Sequence, residues 1–367
     1  MKILLLPNAF KGTLSAVQAA RILEKSLSAR HTVKSYPISD GGDGFMDFFR
    51  ALYPQAKSVR VWARDAFLTR RPTSFLLLPD GQTAVVETAR ICGLGGVPKE
   101  ALNPMGASSY GVGEVILKAV KKGAKTLYVG LGGVACNDGG AGMAAACGAR
   151  ILDAAGRELP PGAEPLLRAK KVELSALKKQ LKSVRIYAVA DVTNPLLGPK
   201  SSAKVFGPQK GATPAQVKKL DKAMARWAQA VAAASGRDIA RTPSTAAAGA
   251  IAAGLYGCMG AQLLLGADFL FQKAHLERYF DWADLVITTE GKLDQQTFYG
   301  KAPLAVLKLA QKHQKPVLFI CGTLEERALK NQKTLPQQVA VLLDFAPSQT
   351  ACLAHTARYL RQVVKNI

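Results

Sequence analysis

The chain has 367 residues, with 49 Lys and Arg against 26 Asp and Glu, a formal net charge of +23. Hydrophobic residues make up 49% and charged residues 20%, which excludes a disordered chain and makes two globular domains the natural expectation. The basic excess is scattered, and its densest run, residues 167–183, has helical spacing without interleaved aromatics. That argues for solvated faces rather than a single-strand nucleic-acid binder, and stays compatible with anionic small-molecule substrates.

The elements follow in chain order. "MKILLLPNAF" has too short an apolar run for a signal peptide and ends at Pro7, so it predicts a first buried strand at Ile3–Leu6. Ser15 followed by Gln18 is a capping-box signature, and Val17, Ala20, Leu23 and Leu27 form the apolar stripe of the first helix. Further strands are expected at Val33–Ile38, Leu127–Gly130, Ile186–Ala190, Leu285–Thr288, Val317–Ile320 and Val339–Leu343. Asp80-Gly81 between two β-rich runs (75–89) predicts a hairpin, and 150–159 is a candidate for another. Thr213-Pro214 predicts a capped helix start. Residues 242–267 contain no charge. Small residues at Gly249, Ala253, Gly257 and Ala261 predict a buried, closely packed helix rather than a membrane span. The last helix is expected at about 350–365.

Strands alternating with helices indicate an α/β fold. Antiparallel hairpins do not belong in a purely parallel sheet, so the expected architecture has two domains. Residues 1–55 and 265–367 form a discontinuous Rossmann- or flavodoxin-like α/β domain, and 56–264 form an inserted mixed-sheet α/β domain. The six cysteines show no C-x-x-C spacing and the four histidines no H-x-x-x-H pair. Reduced thiols in a cytoplasmic protein are expected, without a zinc site.

Five Gly-rich polar loops follow apolar runs: 8–13, 39–44, 136–142, 190–198 and 289–294. In α/β sheets ligands bind at the carboxyl ends of strands. The loops therefore put Asp40, Asp43, Asp138, Asp191, Glu290 and Asp294 on the expected ligand side of a basic protein. Each loop taken alone is equally an ordinary turn, since Asp-Gly and Asn-Asp are common turn formers. Lys11, between the first strand and the capped helix, is placed to meet an anion. No Walker A sequence is present, and the "GLGG" stretches lack the rest of a dinucleotide fingerprint. The loop 190–216, with Lys200, Lys204 and Lys210, is longer than a simple connection needs.

At these loops the chain resembles the bacterial glycerate kinase family. The matching stretches are "NAFKGTLSA", "ISDGGDG", "NPMGASSYGVGEVI", "GLGGVACNDGGAGM", "DVTNPLLGPKSSAKVFGPQKGATP" and "ADLVITTEGKLDQQTFYGKAP", in family order up to about residue 325. The resemblance implies an ATP-dependent, Mg²⁺-requiring kinase that makes 2-phospho-D-glycerate from D-glycerate, with two α/β domains and a cleft between them. On that basis Asp191 is the base or orienting group for the substrate hydroxyl, and Lys11 neutralises the phosphate in transfer. Asp40, Asn137, Asp138 and Asn194 shape the substrate site, and Arg90 or Lys301 meets the glycerate carboxylate. Gly139, Gly140 and Lys210 face nucleotide or phosphate, and Glu290 and Asp294 hold Mg²⁺.

The resemblance implies a small-molecule partner, D-glycerate, without nucleic acid or membrane, and a monomer or homodimer. Alternatives are 3-phosphorylation, a related small hydroxy acid as substrate, a non-catalytic anion binder, and a nucleic-acid-binding protein. The chain departs from the family pattern at Asn8-Ala9, at Val134-Ala135-Cys136, at Thr289 and Lys292, and at 243–250. In the last segment, Ser244, Ala246 and Ala250 stand where the family has glycine, and lost glycines remove backbone freedom.

Overall fold

The computed structural model describes residues 1–367 except Asp40, Tyr299, Gly300, Lys301, Asn331, Asn366 and the side chain of Gln296. The apolar runs become strands β1 Lys2–Pro7, β2 Thr32–Ser35, β3 Lys57–Arg64, β4 Arg70–Leu77, β5 Thr83–Glu87, β6 Thr126–Gly130, β7 Arg150–Leu152, β8 Lys171–Glu173, β9 Arg185–Ala190, β10 Gln262–Leu265, β11 Leu285–Leu293, β12 Val317–Leu324 and β13 Gln338–Val341. The chain divides into two compact units. One is Met1–Asp40, Asp47–Pro54 and Gly266–Ile367; the other is Gly41–Met46 and Gln55–Leu265.

The first unit is built on a five-stranded sheet ordered β13-β12-β11-β1-β2, parallel throughout. Counted within this unit alone, the strand order is 2-1-3-4-5, the flavodoxin-like order with its switch point between β1 and β11. β1 is buried from Ile3 to Pro7, as a central parallel strand covered on both faces should be. The helix Ala16–Leu27 starts at the capping box read from the sequence. Ser15 Oγ accepts from Gln18 N, and Gln18 Oε1 accepts from Ser15 N. Leu23 and Leu27 join Ile3, Leu5, Ile287, Ile320 and Leu360 in one core. The expected last helix is two, Gln349–Ala354 and Thr356–Val363, separated at His355.

The second unit holds a mixed six-stranded sheet ordered β10-β9-β6-β5-β4-β3. β5, β6, β9 and β10 run parallel, while β4 pairs antiparallel with both β3 and β5. The Asp80 turn joins β4 to β5. Its carboxylate accepts from Gln82 N, Thr83 N and Thr83 Oγ1. The segment 150–159 folds back through one bridge, Leu152 to Glu158, while β7 makes its ladder with β8. The helix Pro214–Ser235 begins at the Thr213 capping box with Gln216. Trp227 on this helix is fully buried and donates from Nε1 to Gly139 O at 2.9 Å.

The uncharged stretch 242–267 differs from its sequence reading. Its helix ends at Met259, a short strand (β10) follows, and the next helix starts at Gly266. The helix is also interrupted near its start, because Ala248, Gly249 and Ala250 are all left-handed (φ 53°, 60° and 64°). Gly249 therefore belongs to a turn and not to the small-residue helical stripe. Of that stripe Ala253 and Gly257 remain in the helix, Gly257 packing on Val231 and Ile239, while Ala261 lies beyond its end; Gly254, on the same helix, packs on the backbone of Gly140. Among the described residues no helix is long and apolar enough to cross a membrane.

All six cysteines are free and buried. Burial pushes the thiols of Cys147, Cys258 and Cys321 up to about 12, and raises that of Cys352. Cys136 is raised well above the ordinary thiol value by its hydrogen bond with Cys92 and by burial.

The β3–β4 hairpin turns at Asp65, whose Oδ1 accepts from Phe67 N and Thr69 N. That turn forces Leu68 to φ 65°. A Cβ in the left-handed region costs roughly 1–2 kcal/mol, and the side chain is partly solvent-exposed. Leu68→Gly should therefore raise unfolding stability by about 0.5–1 kcal/mol in urea denaturation, with the m-value unchanged.

Candidate functional site

In the first unit the loop after β1 lies beside the last residues of β11 at the switch point, the strand running on through the expected loop to Leu293. The register aligns Pro7 with Thr289, and Thr289 Oγ1 donates to Asn8 O at 2.6 Å. Phe10 and Leu14 exchange backbone hydrogen bonds, closing a tight turn that presents Lys11 to solvent. A Cβ on Gly291 would lie 3.1 Å from Lys11 N, so Gly291 lets β11 run against that turn. The preceding Glu290 is buried, and Thr297 Oγ1 donates to its Oε2 at 2.7 Å. Thr297 also accepts from Asp294 N at 3.2 Å, so one hydroxyl ties the two acidic positions together. Lys292 Nζ lies 3.7 Å from Asp294 Oδ2.

In the second unit β5, β6 and β9 are neighbours, so the residues after them share one sheet edge. Glycine-on-glycine packing brings Gly41–Met46 onto that edge. A Cβ on Gly132 would meet Gly42 Cα at 2.6 Å, and one on Gly41 would meet Val189 O at 2.6 Å. Glu87 at the end of β5 holds the segment in place. Its carboxylate accepts from Met46 N at 2.8 Å and Gly44 N at 3.3 Å. Glu87 was not singled out in the sequence, although "TAVVETA" shows an acid ending an apolar strand. Arg90 Nε lies 3.3 Å from Glu87 Oε1, which places the guanidinium beside this edge. Asp191, partly buried, is the first residue after β9. Asn194 closes its own loop, with Nδ2 donating to Lys200 O at 3.0 Å and its carbonyl accepting from Ala246 N. Asp40 and Lys301 lie outside the described residues.

The stretch 136–142 takes on different work from that expected. Asp138 is fully buried. Its Oδ2 accepts from Ser109 N (2.7 Å), Ser109 Oγ (2.9 Å), Ser108 Oγ (3.0 Å) and Gly142 N (3.2 Å), and its Oδ1 from Gly140 N (3.2 Å). Burial pushes this carboxyl above the usual range, and the hydrogen bonds from Ser109, Ser108 and Gly142 pull it back. Asp138 thus joins two loops as a scaffold. Gly139 and Gly140 permit close approach of protein. A Cβ on Gly139 would strike Trp227 at 2.6 Å, and one on Gly140 would lie 3.0 Å from Gly254 Cα.

Lys210 is also held within the protein. It is 2% exposed, and its Nζ donates to Cys136 O at 2.6 Å and Asn137 Oδ1 at 3.0 Å. Burial pulls its pKa below the usual lysine value. Position in a polar loop does not reveal burial, which is why sequence reasoning placed it with the phosphates.

These features define an α/β protein with paired acidic and basic side chains at the ligand side of a doubly wound sheet. The model of the glycerate kinase family matches residues 3–367, and the chain belongs to that family. It is 36% identical over 329 residues to a glycerate 2-kinase of Escherichia coli K12, covering 89% of this chain and 86% of that one. It is 36% identical over 326 residues to a glycerate kinase of Halalkalibacterium halodurans, covering 88% and 85%. A crystal structure from Salmonella typhimurium LT2, assigned as glycerate kinase 2, superposes with a TM-score of 0.82 at 34% identity, covering 100% of this chain and 96% of that one.

The scaffold role of Asp138 is testable. An amide at this position offers one acceptor oxygen and turns an NH₂ toward a donor that the carboxylate satisfied. Asp138→Asn should lower unfolding stability by about 1–3 kcal/mol. The folded fraction should keep its KM for the small-molecule substrate, and a selective rise in KM would return Asp138 to the substrate site.

Proposed function

We propose that the protein transfers the γ-phosphoryl group of ATP to the 2-hydroxyl of D-glycerate, giving 2-phospho-D-glycerate. The observation that carries this reading is the placement of the Lys11 turn against β11, near Glu290 and Asp294, at the switch point of the parallel sheet, in a chain that belongs to the glycerate kinase family along nearly its whole length. Phosphoryl transfer asks little covalent chemistry of a protein. It asks for in-line positioning, cations on the phosphates, and a group that orients or deprotonates the attacking hydroxyl.

The residues fit those tasks in turn. Asp191, at the mouth of β9, accepts the proton of the substrate 2-hydroxyl, and Arg90 meets the glycerate carboxylate. Asn137 and Asn194 shape the same substrate side. Lys11, solvent-facing on its short turn, sets its ammonium against the phosphate in transfer. The donor set of Glu290 and Asp294 suits Mg²⁺. Both would supply hard oxygen ligands, Glu290 near the end of β11 and Asp294 just after it, with Thr297 Oγ1 donating to the Glu290 carboxylate and accepting from Asp294 N. When bound, Mg²⁺ would neutralise phosphate charge. This reading takes the protein as a cytoplasmic enzyme, monomeric or homodimeric, acting on a small molecule with no nucleic-acid or membrane partner.

The test is a coupled ADP-release assay with D-glycerate, with the product identified by NMR. Formation of the 2-phosphate supports the proposal, the 3-phosphate corrects its regiochemistry, and no glycerate-dependent ADP release overturns it. Asp191→Asn should lower kcat by about 100-fold or more, since tenfold is only about 1.4 kcal/mol of barrier. Turnover near the wild-type value would remove Asp191 as base. Lys11→Ala should lower kcat more than it raises the KM for glycerate.

A further inference from the structure

Lys210 and Asn137 form a buried polar pair that the reaction as described does not explain. Lys210 is 2% and Asn137 3% exposed. The two acceptors on the Lys210 ammonium, Cys136 O and Asn137 Oδ1, are both neutral. A lysine of this kind is costly to bury, because its hydrogen bonds go to neutral dipoles and the nearby Asp138 only partly offsets the desolvation. The side chain cannot swing out to a ligand as it stands. The left-handed turn Ala248–Ala250 closes over it, and a Cβ on Gly249 would lie 1.9 Å from Cys136 O and 2.9 Å from Lys210 Nζ. The same turn is tied to the loop by Gly139 N donating to Gly249 O at 3.1 Å.

The pair has a chemical direction. A lysine ammonium only donates, so the atom of Asn137 that faces it must be the acceptor Oδ1. The opposite edge of the amide is then a donor by necessity. That donor, Asn137 Nδ2, is buried and has no hydrogen-bond partner. An orphaned buried N–H costs roughly 1–3 kcal/mol, and a firmly aimed one is what an anionic ligand oxygen would satisfy.

We propose that Lys210 is a positioning residue, which locks the Asn137 amide so that Nδ2 is presented to an oxygen of the anionic substrate. The proposal rests on the glycerate kinase reading and deepens it, because it assigns substrate recognition to Asn137 and the orientation of that residue to Lys210. The Cys136 carbonyl fixes the lysine from the other side, and the turn at Gly249 holds all three together.

The experiment combines steady-state kinetics with thermal melting for wild type, Asn137→Asp, Lys210→Met and the double variant, with MgATP and D-glycerate. Asn137→Asp replaces the presented donor with an acceptor while giving the buried ammonium a carboxylate partner. Its Tm should therefore rise by about 2–4 °C, while its KM for glycerate rises about tenfold or more and its KM for ATP stays within about twofold. Lys210→Met frees the amide to rotate and should raise the glycerate KM about fivefold. In the Asn137→Asp background the same change should add no further rise, the non-additivity expected of residues acting through one contact.

A glycerate KM within about twofold of wild type in Asn137→Asp, or full additivity in the double variant, overturns the proposal. If Lys210→Met does not fold, Asn137→Asp alone decides. Absence of glycerate turnover in the wild type would instead fail the functional reading. The proposal is then decided by melting with and without D-glycerate, where protection of wild type but not of Asn137→Asp supports it and equal or no protection overturns it.

Discussion

The carboxylate of Asp138 is withdrawn from water completely, and five donors from two stretches of chain make that burial tolerable. Ser108 and Ser109 come from the start of the helix Tyr110–Lys121, and Gly140 and Gly142 from the loop that Asp138 itself belongs to. An unpaired charge in that position would unfold the region, so the network is obligatory. Once it forms, the direction of the chain through 136–142 is settled. Asn137 stands on one side, the Gly139 carbonyl turns to Trp227, and the Cys136 carbonyl faces Lys210.

The first unit reaches a similar arrangement by topology. A parallel sheet in the order 2-1-3-4-5 leaves adjacent loops diverging at one place, between β1 and β11. The chain fills that place with Lys11 on the loop after β1, Glu290 near the end of β11 and Asp294 just beyond it. Thr297 carries the organisation a step further, because its hydroxyl serves an acidic side chain and a backbone amide together. The long insertion between β2 and β11 leaves this order intact, since the chain returns to add β11 in parallel on the other side of β1.

Much of this was legible in the sequence because it rests on local chemistry. The capping boxes at Ser15 and Thr213, the Asp80 turn and the central strands are each specified within a few residues. The acidic loops were legible too, because a strand end is a sequence-local event. What escaped depends on contacts distant in the chain. β3 was missed because Lys, Arg and an exposed Trp62 mask the alternation of an edge strand. Left-handed Ala248 and Ala250 have no signal in residue type, since alanine resists that conformation and only surrounding contacts impose it. Gly139 and Gly140 looked like ligand-facing glycines because sequence shows that room is needed without showing for what. Glu87 and Lys210 passed for a strand end and a loop cation, and only their buried partners reveal their work.

The six buried thiols carry a consequence of another kind. With their pKa raised, those of Cys136, Cys147, Cys258, Cys321 and Cys352 are protonated and shielded at neutral pH, so electrophiles and mild oxidants meet little thiolate on the native protein. Four of the cysteines fall in the second unit, and Cys321 and Cys352 in the first. Alkylation therefore proceeds through opening of whichever unit holds the thiol, and its rate reports that unit's local stability. The chain thus contains its own set of chemical clocks, able to time the loosening of each half separately without any introduced label.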